Sequence, residues 1–259
     1  MLLKNVEIRE LKKIQPRNPV LVAGFPGLGY IGKLAVVHMV NVLKAEKIAE
    51  FYSPYFPYHV LSDENGIVRL LRLELYYWKN PKEDGRDLLL LTGDTQPQSI
   101  EGGYIIVSEL LKYVKEKGVD TVVALGGYQS ISKNPTPMVI GASTKREVLE
   151  QLKNIGVRVG GWGNPIVGLA GIIVGLAEFY DLTGICLLGE TSGYVVDIKS
   201  AGEVLKVLSR LFNVEVPLEG LRRDIISEIG EAISEIEAEM KSLEKTISRM
   251  KGESVTYIS

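Results

Sequence analysis

Short apolar runs alternate along the chain with Gly- or Pro-rich loops and with segments of helical periodicity. The apolar runs span 20–23, 88–91, 121–125, 157–159 and 185–188, and the helical patterns span 31–43, 99–117, 144–154, 168–179 and 200–211. This alternation is typical of βαβ units, in which a largely parallel sheet is covered by helices. The sequence therefore predicts an α/β fold with a mostly parallel sheet flanked by helices. Gly118 and Gly156 are expected to cap two of the helices at their C-termini.

Asn65-Gly66 is a strong hairpin signal. It lies between two β-prone runs in the stretch YHVLSDENGIVRLLRLELYYW, and Asn-Gly tolerates the positive φ angles of a tight hairpin turn. The stretch falls between the first two apolar runs of the alternating pattern. We therefore expect an antiparallel element here that extends the sheet.

The composition is that of an ordinary globular protein and argues against several classes of function. The 259 residues are 46% hydrophobic and 24% charged, which is enough to bury a full core. A formal net charge of −2 argues against nucleic acid and against an anionic membrane surface as partners. No run approaches the roughly 18 apolar residues of a membrane-spanning helix. The single cysteine, Cys186, lies in an apolar run, so we expect a small buried core residue and a cytoplasmic protein.

Two phosphate-binding signatures overlap in the loop VAGFPGLGYIGKLAV. Gly27, Gly29 and Gly32 spell the G-x-G-x-x-G of dinucleotide-binding loops, and a Walker A pattern, G-x-x-x-x-G-K, also begins at Gly27. A Walker site needs a hydroxyl after its lysine to hold Mg²⁺, and Leu34 has none. A Walker-type ATP site is therefore not expected.

The dinucleotide interpretation has one further residue in its favour. Glu50 comes at the end of the next candidate strand, near the spacing expected for an acid that binds a ribose. The same residue ends the charged run KAEKIAE, which also suits a solvated helix end. The loop itself is equally typical of a tight turn that lets the first helix lie close to the sheet, so both interpretations stand.

Side chains for catalysis are few. The two histidines, His38 and His59, neighbour neither Cys186 nor a G-x-S-x-G motif, so a nucleophilic triad is not supported. No spacing typical of metal ligands is present. Asp94 and Glu190 each follow a candidate strand, and their carboxylates could meet at the edge where parallel strands end, which would suit acid–base chemistry. The alternative is a pair of exposed carboxylates at helix N-termini.

A long amphipathic helix is predicted for residues 214–251. Apolar residues recur at steps of three and four from Leu218 to Met250, opposite a face rich in Glu and Lys, and Pro217 suits the first turn. Such a stripe must be covered by the core or by another chain, and the charged opposite face favours another chain. The predicted intersubunit positions are Leu221, Ile225, Ile229, Ile236, Met240 and Leu243.

Five segments together resemble one protein family. In chain order they are GFPGLGYIGKLAV, GGYQ, NPTPMVIGAST, GNPIVGLAGIIVGLAE and LLGETSGYVVDIKSAGEVL. They are similar to the archaeal branch of the proteasome assembly chaperones, over nearly all of residues 17–213. The resemblance implies a core domain over 1–213 that is similar to nucleoside phosphorylases, without enzymatic activity or cofactor. It also implies homo-oligomers, tetramers or pentamers, that dock on the α-ring of the 20S proteasome as assembly chaperones or ATP-independent activators.

The C-terminal tail, residues 252–259, is the segment that this resemblance assigns to the partner. Proteins that dock between proteasome α-subunits use a tail that ends in a hydrophobic residue, a tyrosine and any residue, and whose carboxylate meets a basic pocket. Tyr257 is third from the end here rather than second, so this tail departs from the family pattern. The expected partner-binding residues are Val255, Thr256, Tyr257, Ile258 and Ser259. The alternative function is a nucleoside- or nucleotide-processing enzyme acting at the strand-end loops, which should tolerate the loss of the tail.

Overall fold

The computed structural model describes residues 5–130, 136–160, 165–193 and 196–224. The predicted intersubunit positions from Ile225 to Leu243 and the predicted partner-binding tail lie outside these residues. They stay predictions, and the description below concerns the core and the segment through which the chain leaves it.

The described chain contains eleven strands, five α-helices and two short 3-10 helices. The strands are β1 (Glu7–Glu10), β2 (Val20–Gly24), β3 (Glu46–Tyr52), β4 (Val60–Ser62), β5 (Val68–Leu70), β6 (Leu73–Trp78), β7 (Leu88–Gly93), β8 (Thr121–Gln129), β9 (Val139–Ser143), β10 (Arg158–Val159) and β11 (Thr183–Thr191). The helices are α1 (Ile31–Leu43), α2 (Ile100–Glu116), α3 (Arg146–Asn154), α4 (Gly168–Ala177) and α5 (Ile198–Phe212). All five helices were predicted, and α1 has the predicted bounds.

Nine strands form one mixed sheet in the order β1-β3-β6-β7-β2-β8-β11-β9-β10. The four central strands, β7, β2, β8 and β11, run parallel, and so do β9 and β10 at one edge. The pairs β1–β3, β3–β6, β6–β7 and β11–β9 are antiparallel. The predicted α/β class is confirmed, with antiparallel strands on both sides of a parallel centre.

Helices cover both faces of the sheet, and the alternate residues of β2 are buried on opposite faces. Val20 and Val22 belong to a core with residues of α1, α3 and α5, whereas Leu21 and Ala23 belong to a second core with residues of α2 and α4. Successive strand residues point to opposite faces, so a strand that is buried on both sides needs an unbroken apolar run. This requirement is what made the central strands recognisable in the sequence.

The hairpin predicted around Asn65-Gly66 is confirmed, and the expected antiparallel extension of the main sheet comes from β6, later in the same stretch. β4 and β5 pair with each other in a separate two-stranded sheet, and β6 is the strand that joins the main sheet beside β7. Gly66 has a φ of +78°, which a side chain would disfavour. The outer side of the hairpin is apolar and carries the exposed residues Val60, Ile67, Val68 and Leu70.

Two strands of the main sheet, β1 and β9, were not predicted. β9 lies antiparallel beside β11, with Leu187 opposite Gly141, and it pairs in parallel with the short β10.

The helix caps expected at Gly118 and Gly156 are confirmed, since their φ angles are +88° and +87°. Both glycines therefore adopt the left-handed conformation that ends a helix.

Candidate functional site

The loops at the carboxyl ends of the parallel strands surround a cavity of about 440 Å³. Its lining is mostly apolar and includes Leu28, Leu125, Ile140, Ile166, Val167 and Leu188. Gln96 closes one side, because its Nε2 donates to the Pro26 carbonyl at 2.6 Å and its Oε1 accepts from the Leu169 amide at 2.9 Å. The described lining contains no Asp, Glu, Lys, Arg or His. These lining residues therefore offer apolar contact and neutral polar groups rather than acid–base chemistry.

Asp94, which follows β7, anchors the β4–β5 hairpin. Its carboxylate accepts two hydrogen bonds from the Arg69 guanidinium, at 2.6 and 2.8 Å, and a third from the Arg72 amide at 3.0 Å. A two-pronged arginine contact of this kind is a strong charge-assisted interaction, and it raises the pKa of the Arg69 guanidinium. The Asp94 carboxylate is thus engaged in holding the fold. It is neither exposed nor directed at a shared site with Glu190.

Glu190, near the end of β11, is also tied into the sheet. Its Oε2 accepts from the Met138 amide at 3.1 Å, and its own amide donates to the Met138 carbonyl at 2.9 Å. Burial first, and the Glu190 charge second, raise the pKa of the neighbouring Tyr128.

The expectation that Asp94 and Glu190 meet is wrong. The strands that carry them, β7 and β11, are separated by β2 and β8. Three strand spacings amount to about 14 Å across the sheet. Two carboxylates this far apart cannot share a proton or act together on one small bond.

The glycine loop brings α1 into close contact with the sheet. A Cβ atom on Gly32 would lie 2.2 Å from the Leu125 carbonyl oxygen, and one on Gly24 would lie 2.0 Å from the Gly32 carbonyl oxygen. Gly29 has a φ of +61°. Leu34, at the position where a Walker motif has its hydroxyl, is 1% exposed and lies in the core. The geometry favours the tight turn over the phosphate-binding loop.

Glu50 is not placed to bind a ribose at this loop. It lies in β3, and β6 and β7 separate β3 from β2, whereas a ribose-binding acid ends the strand beside the one that leads into the glycine loop. Its carboxylate accepts from the Tyr52 hydroxyl at 2.9 Å and pairs with the Arg72 guanidinium at 3.1 Å. The alternative of a solvated helix end is also wrong, because Glu50 is a buried strand residue.

Cys186 is a core residue, as predicted. It is 0% exposed, and burial raises the pKa of its thiol to about 12, so the reactive thiolate is scarce at neutral pH. Within the described ranges, no three His, Cys, Asp or Glu side chains gather as metal ligands would. Nor does any helix in this part of the chain have the length and apolar character to cross a bilayer.

The chain leaves the core through residues 213–224, which we call the exit segment. Val214, Val216 and Leu221 are buried in the core that also contains α1 and α5. A Cβ atom on Gly202 of α5 would lie 3.8 Å from the Leu221 side chain. Leu221, one of the predicted intersubunit positions, is therefore covered by its own domain, and the rest of the predicted stripe follows it outside the described residues.

The helix of the exit segment begins later than predicted. Residues 221–224 have helical backbone, and the Asp224 amide donates to the Gly220 carbonyl at 2.9 Å, as in an α-helix. Gly220 has a φ of +86°, so a continuous right-handed helix cannot run through it. Pro217 thus precedes the helix and does not occupy its first turn.

A buried histidine of α1 contacts the exit segment at two points. His38 is 0% exposed. Its Nδ1 lies 2.6 Å from a carboxylate oxygen of Asp224, and its Nε2 lies 2.6 Å from the Pro217 carbonyl oxygen. The sequence analysis missed this arrangement because the partners are 186 and 179 positions away along the chain.

Comparisons with known proteins agree with this fold over most of the chain. An uncharacterised protein of Methanocaldococcus jannaschii is 33% identical over 243 residues, which make up 93% of each chain. The crystal structure of Pyrococcus furiosus PbaB, an archaeal proteasome activator, matches with a TM-score of 0.83 and 34% identity over 93% of this chain and 100% of that one. Pyrococcus furiosus PbaA, an archaeal homolog of proteasome-assembly chaperone, shares the fold at a TM-score of 0.70 and 23% identity, over 95% of this chain and 98% of that one.

A family model covers the same part of the chain. The model of the PAC2 family matches residues 21–241, a range that begins within β2 and extends beyond α5. The five segments that resemble proteasome assembly chaperones all fall within it. The resemblance is thereby confirmed, and the chain belongs to the PAC2 family.

Proposed function

We propose that this protein binds the 20S proteasome, as an assembly chaperone or as an activator that needs no ATP. The observation that carries the proposal is the match to PbaB, with a TM-score of 0.83 and 34% identity over nearly the full length of both chains. Membership of the PAC2 family and the fold shared with PbaA support the same function.

The proposed docking element is the C-terminal tail, whose residues Val255 to Ser259 reach the α-ring of the proteasome. Tyr257 is the contact that the family pattern suggests. The long helix before the tail joins copies of the chain into a tetramer or pentamer, through Ile225, Ile229, Ile236, Met240 and Leu243. Several tails offered together bind more tightly than one, because each later contact is intramolecular. We place the protein in the cytoplasm, with no chemistry of its own.

The contacts of Asp94 and Glu190 argue against the alternative function, an enzyme that acts on a nucleoside or nucleotide. Asp94 holds Arg69, and Glu190 holds the Met138 amide. The described lining of the cavity at the strand ends carries no charged side chain. These contacts favour a binding protein over the acid–base enzyme.

The experiment is a binding assay with 20S proteasome purified from the same organism. The full chain is compared with a chain that lacks residues 252–259 and with Tyr257→Ala. Tyr104→Ala is the matched control, because Tyr104 is a half-exposed tyrosine on α2 of the core. We expect the truncation and Tyr257→Ala to weaken binding and the control to leave it unchanged, with the same oligomer size in all four proteins.

Two readouts separate the two roles. An activator increases peptide hydrolysis by mature 20S particles, whereas an assembly chaperone accelerates the formation of particles from separate subunits. If the full chain and the truncated chain bind equally well, the tail is not the docking element. If neither binds, the proteasome function itself is wrong.

A further inference from the structure

The contacts of His38 fix how many protons this site holds. A carbonyl oxygen has no hydrogen to donate, so Nε2 must donate to the Pro217 carbonyl. Nδ1 faces a carboxylate oxygen of Asp224. Either Nδ1 also carries a proton and the pair is imidazolium and carboxylate, or Asp224 carries the proton and donates it to Nδ1. In both cases the ring and the carboxylate together hold two protons.

Loss of one proton would break the arrangement. A neutral imidazole that still donates to Pro217 would turn its Nδ1 lone pair toward the Asp224 carboxylate, 2.6 Å away. Two acceptors at hydrogen-bond distance repel each other, and a buried acceptor without a donor is costly. The contact between α1 and the exit segment therefore depends on the second proton of the His38–Asp224 pair.

The two contacts bracket the point where the C-terminal helix begins. Pro217 lies before Gly220, where the backbone turns, and Asp224 lies in the first helical turn after it. Leu221, between them, is buried in the core. Apolar packing at Leu221 holds the segment down without fixing its direction, whereas two short hydrogen bonds to one buried ring orient it.

We propose that His38 is a positioning residue: with a shared proton it binds Asp224 and Pro217, and so sets the direction in which the C-terminal helix leaves the core. The functional consequence rests on the proposed function, since that direction decides where the docking tail is presented. The reference pKa of an imidazole in water is about 6.5. We call the contacts of His38 with Asp224 and Pro217 the latch. Above about pH 6.5, breaking these contacts releases a proton, so a rise in pH favours the open state.

Other ionisable groups near the latch are engaged or exposed. Besides Asp224, the charged residues of α1, α5 and the exit segment are Lys33, Lys199, Glu203, Lys206, Arg210, Glu215, Glu219, Arg222 and Arg223. Glu203 pairs with Lys206 at 2.7 Å, and Arg210 donates to the Ile155 carbonyl at 3.0 Å. The charged residues of the exit segment other than Asp224 are exposed.

Hydrogen exchange of the exit-segment amides tests the proposal on the full chain. The reporters are the Leu221 and Asp224 amides, which donate to Leu218 and Gly220, and protection is measured against intrinsic exchange from pH 5.5 to 8.5. For the wild type we expect protection to fall above about pH 6.5, by up to about tenfold per pH unit, because one proton is released on opening. The amides of α1 provide the internal reference.

Two substitutions at Asp224 separate the shared proton from simple packing. In Asp224→Asn the side-chain amide can donate to the neutral Nδ1 of His38, so protection should persist above about pH 6.5, where the wild type loses it. In Asp224→Ala protection should be low throughout the range. Glu219→Ala is the matched control, since Glu219 is an exposed carboxylate of the same segment, and it should behave as the wild type.

Two results would overturn the latch: protection in the wild type that does not change with pH, or an Asp224→Asn variant that keeps the wild-type pH dependence. Proteasome binding is measured separately on the same proteins. If the latch behaves as expected and Asp224→Ala binds the proteasome as tightly as Asp224→Asn, the direction of the helix does not matter for docking. If no variant binds, the proposed function fails while the exchange result stands.

Discussion

Substitution of Gly32 by alanine tests the packing role of the glycine loop. Its Cβ atom would lie 2.2 Å from the Leu125 carbonyl oxygen, and real Cβ atoms essentially never approach closer than 3.0 Å. The obstacle is the backbone of β8 in the centre of the sheet. Relief therefore requires α1 to move away by about 0.8 Å or more. Such a shift loosens the contacts of Ile31, Leu34 and Ala35 with the core.

The magnitude follows from two opposing terms. Overpacking of a well-packed site typically costs about 1–3 kcal/mol. We expect a cost at the upper end, because the added Cβ atom meets a backbone carbonyl that cannot rotate away as a side chain could. Alanine is better than glycine inside a helix by about 1 kcal/mol. We expect Gly32→Ala to lower the free energy of unfolding by about 2 kcal/mol. For a domain of this size, that corresponds to a melting temperature lower by about 4–8 °C.

Thermal and urea unfolding at one protein concentration measure this difference. Gly175→Ala is the matched control, since Gly175 also lies inside a helix, α4, and a Cβ atom there meets nothing within 4 Å. The control should gain about 0.5–1 kcal/mol from helix propensity alone. A Gly32→Ala protein as stable as the wild type would refute the packing role of the loop.

Four further predictions concern the loop, the thiol, the hairpin and the predicted seam. ATP with Mg²⁺ should not raise the melting temperature, whereas tight binding would stabilise by about 2.7 kcal/mol at a hundredfold excess over Kd. Cys186 should resist thiol reagents at neutral pH in the folded protein and react only on unfolding, because burial raises the pKa of its thiol to about 12. Asp94→Asn should lower the free energy of unfolding, measured with urea, by about 1–2 kcal/mol. This figure allows for the weaker ion pair that the partial exposure of Arg69 causes. Ile236→Asp should give a smaller particle in light scattering with native-like circular dichroism; loss of the folded core at unchanged size would show that the helix packs on its own domain.

Elements that local signals specify could be predicted from the sequence. The bounds of α1 follow from the turn before Ile31 and from the apolar pattern that ends at Leu43. Central strands such as β2 could be predicted because burial on both faces requires an unbroken apolar run. β9 escaped prediction because its main partner is β11, more than forty positions further along the chain, and its own run is short and interrupted by Gly141.

The positions of the candidate site residues depend on strand order, which local patterns do not encode. Asp94 follows β7 as predicted and Glu190 lies within β11 rather than after it, yet β2 and β8 lie between those strands. Glu50 fails as a ribose-binding acid for the same reason, because β6 and β7 lie between β3 and β2. The pairing of His38 with Asp224 spans 186 positions and has no local signature at all.

The distribution of buried polar groups indicates where this fold has been specialised. The strand-end edge, where α/β proteins commonly bind ligands, has its described carboxylates committed to Arg69 and to the Met138 amide. At the exit segment, by contrast, a fully buried imidazole has both nitrogens engaged. An apolar residue at position 38 could fill the same space without the cost of burying a polar ring. A buried histidine at this position is best explained by a need to orient the exit segment, because hydrogen bonds constrain orientation where apolar contacts do not. A protein that works by presenting its C-terminal segment to a partner requires that constraint where the segment begins, and an enzyme acting at the strand-end loops does not.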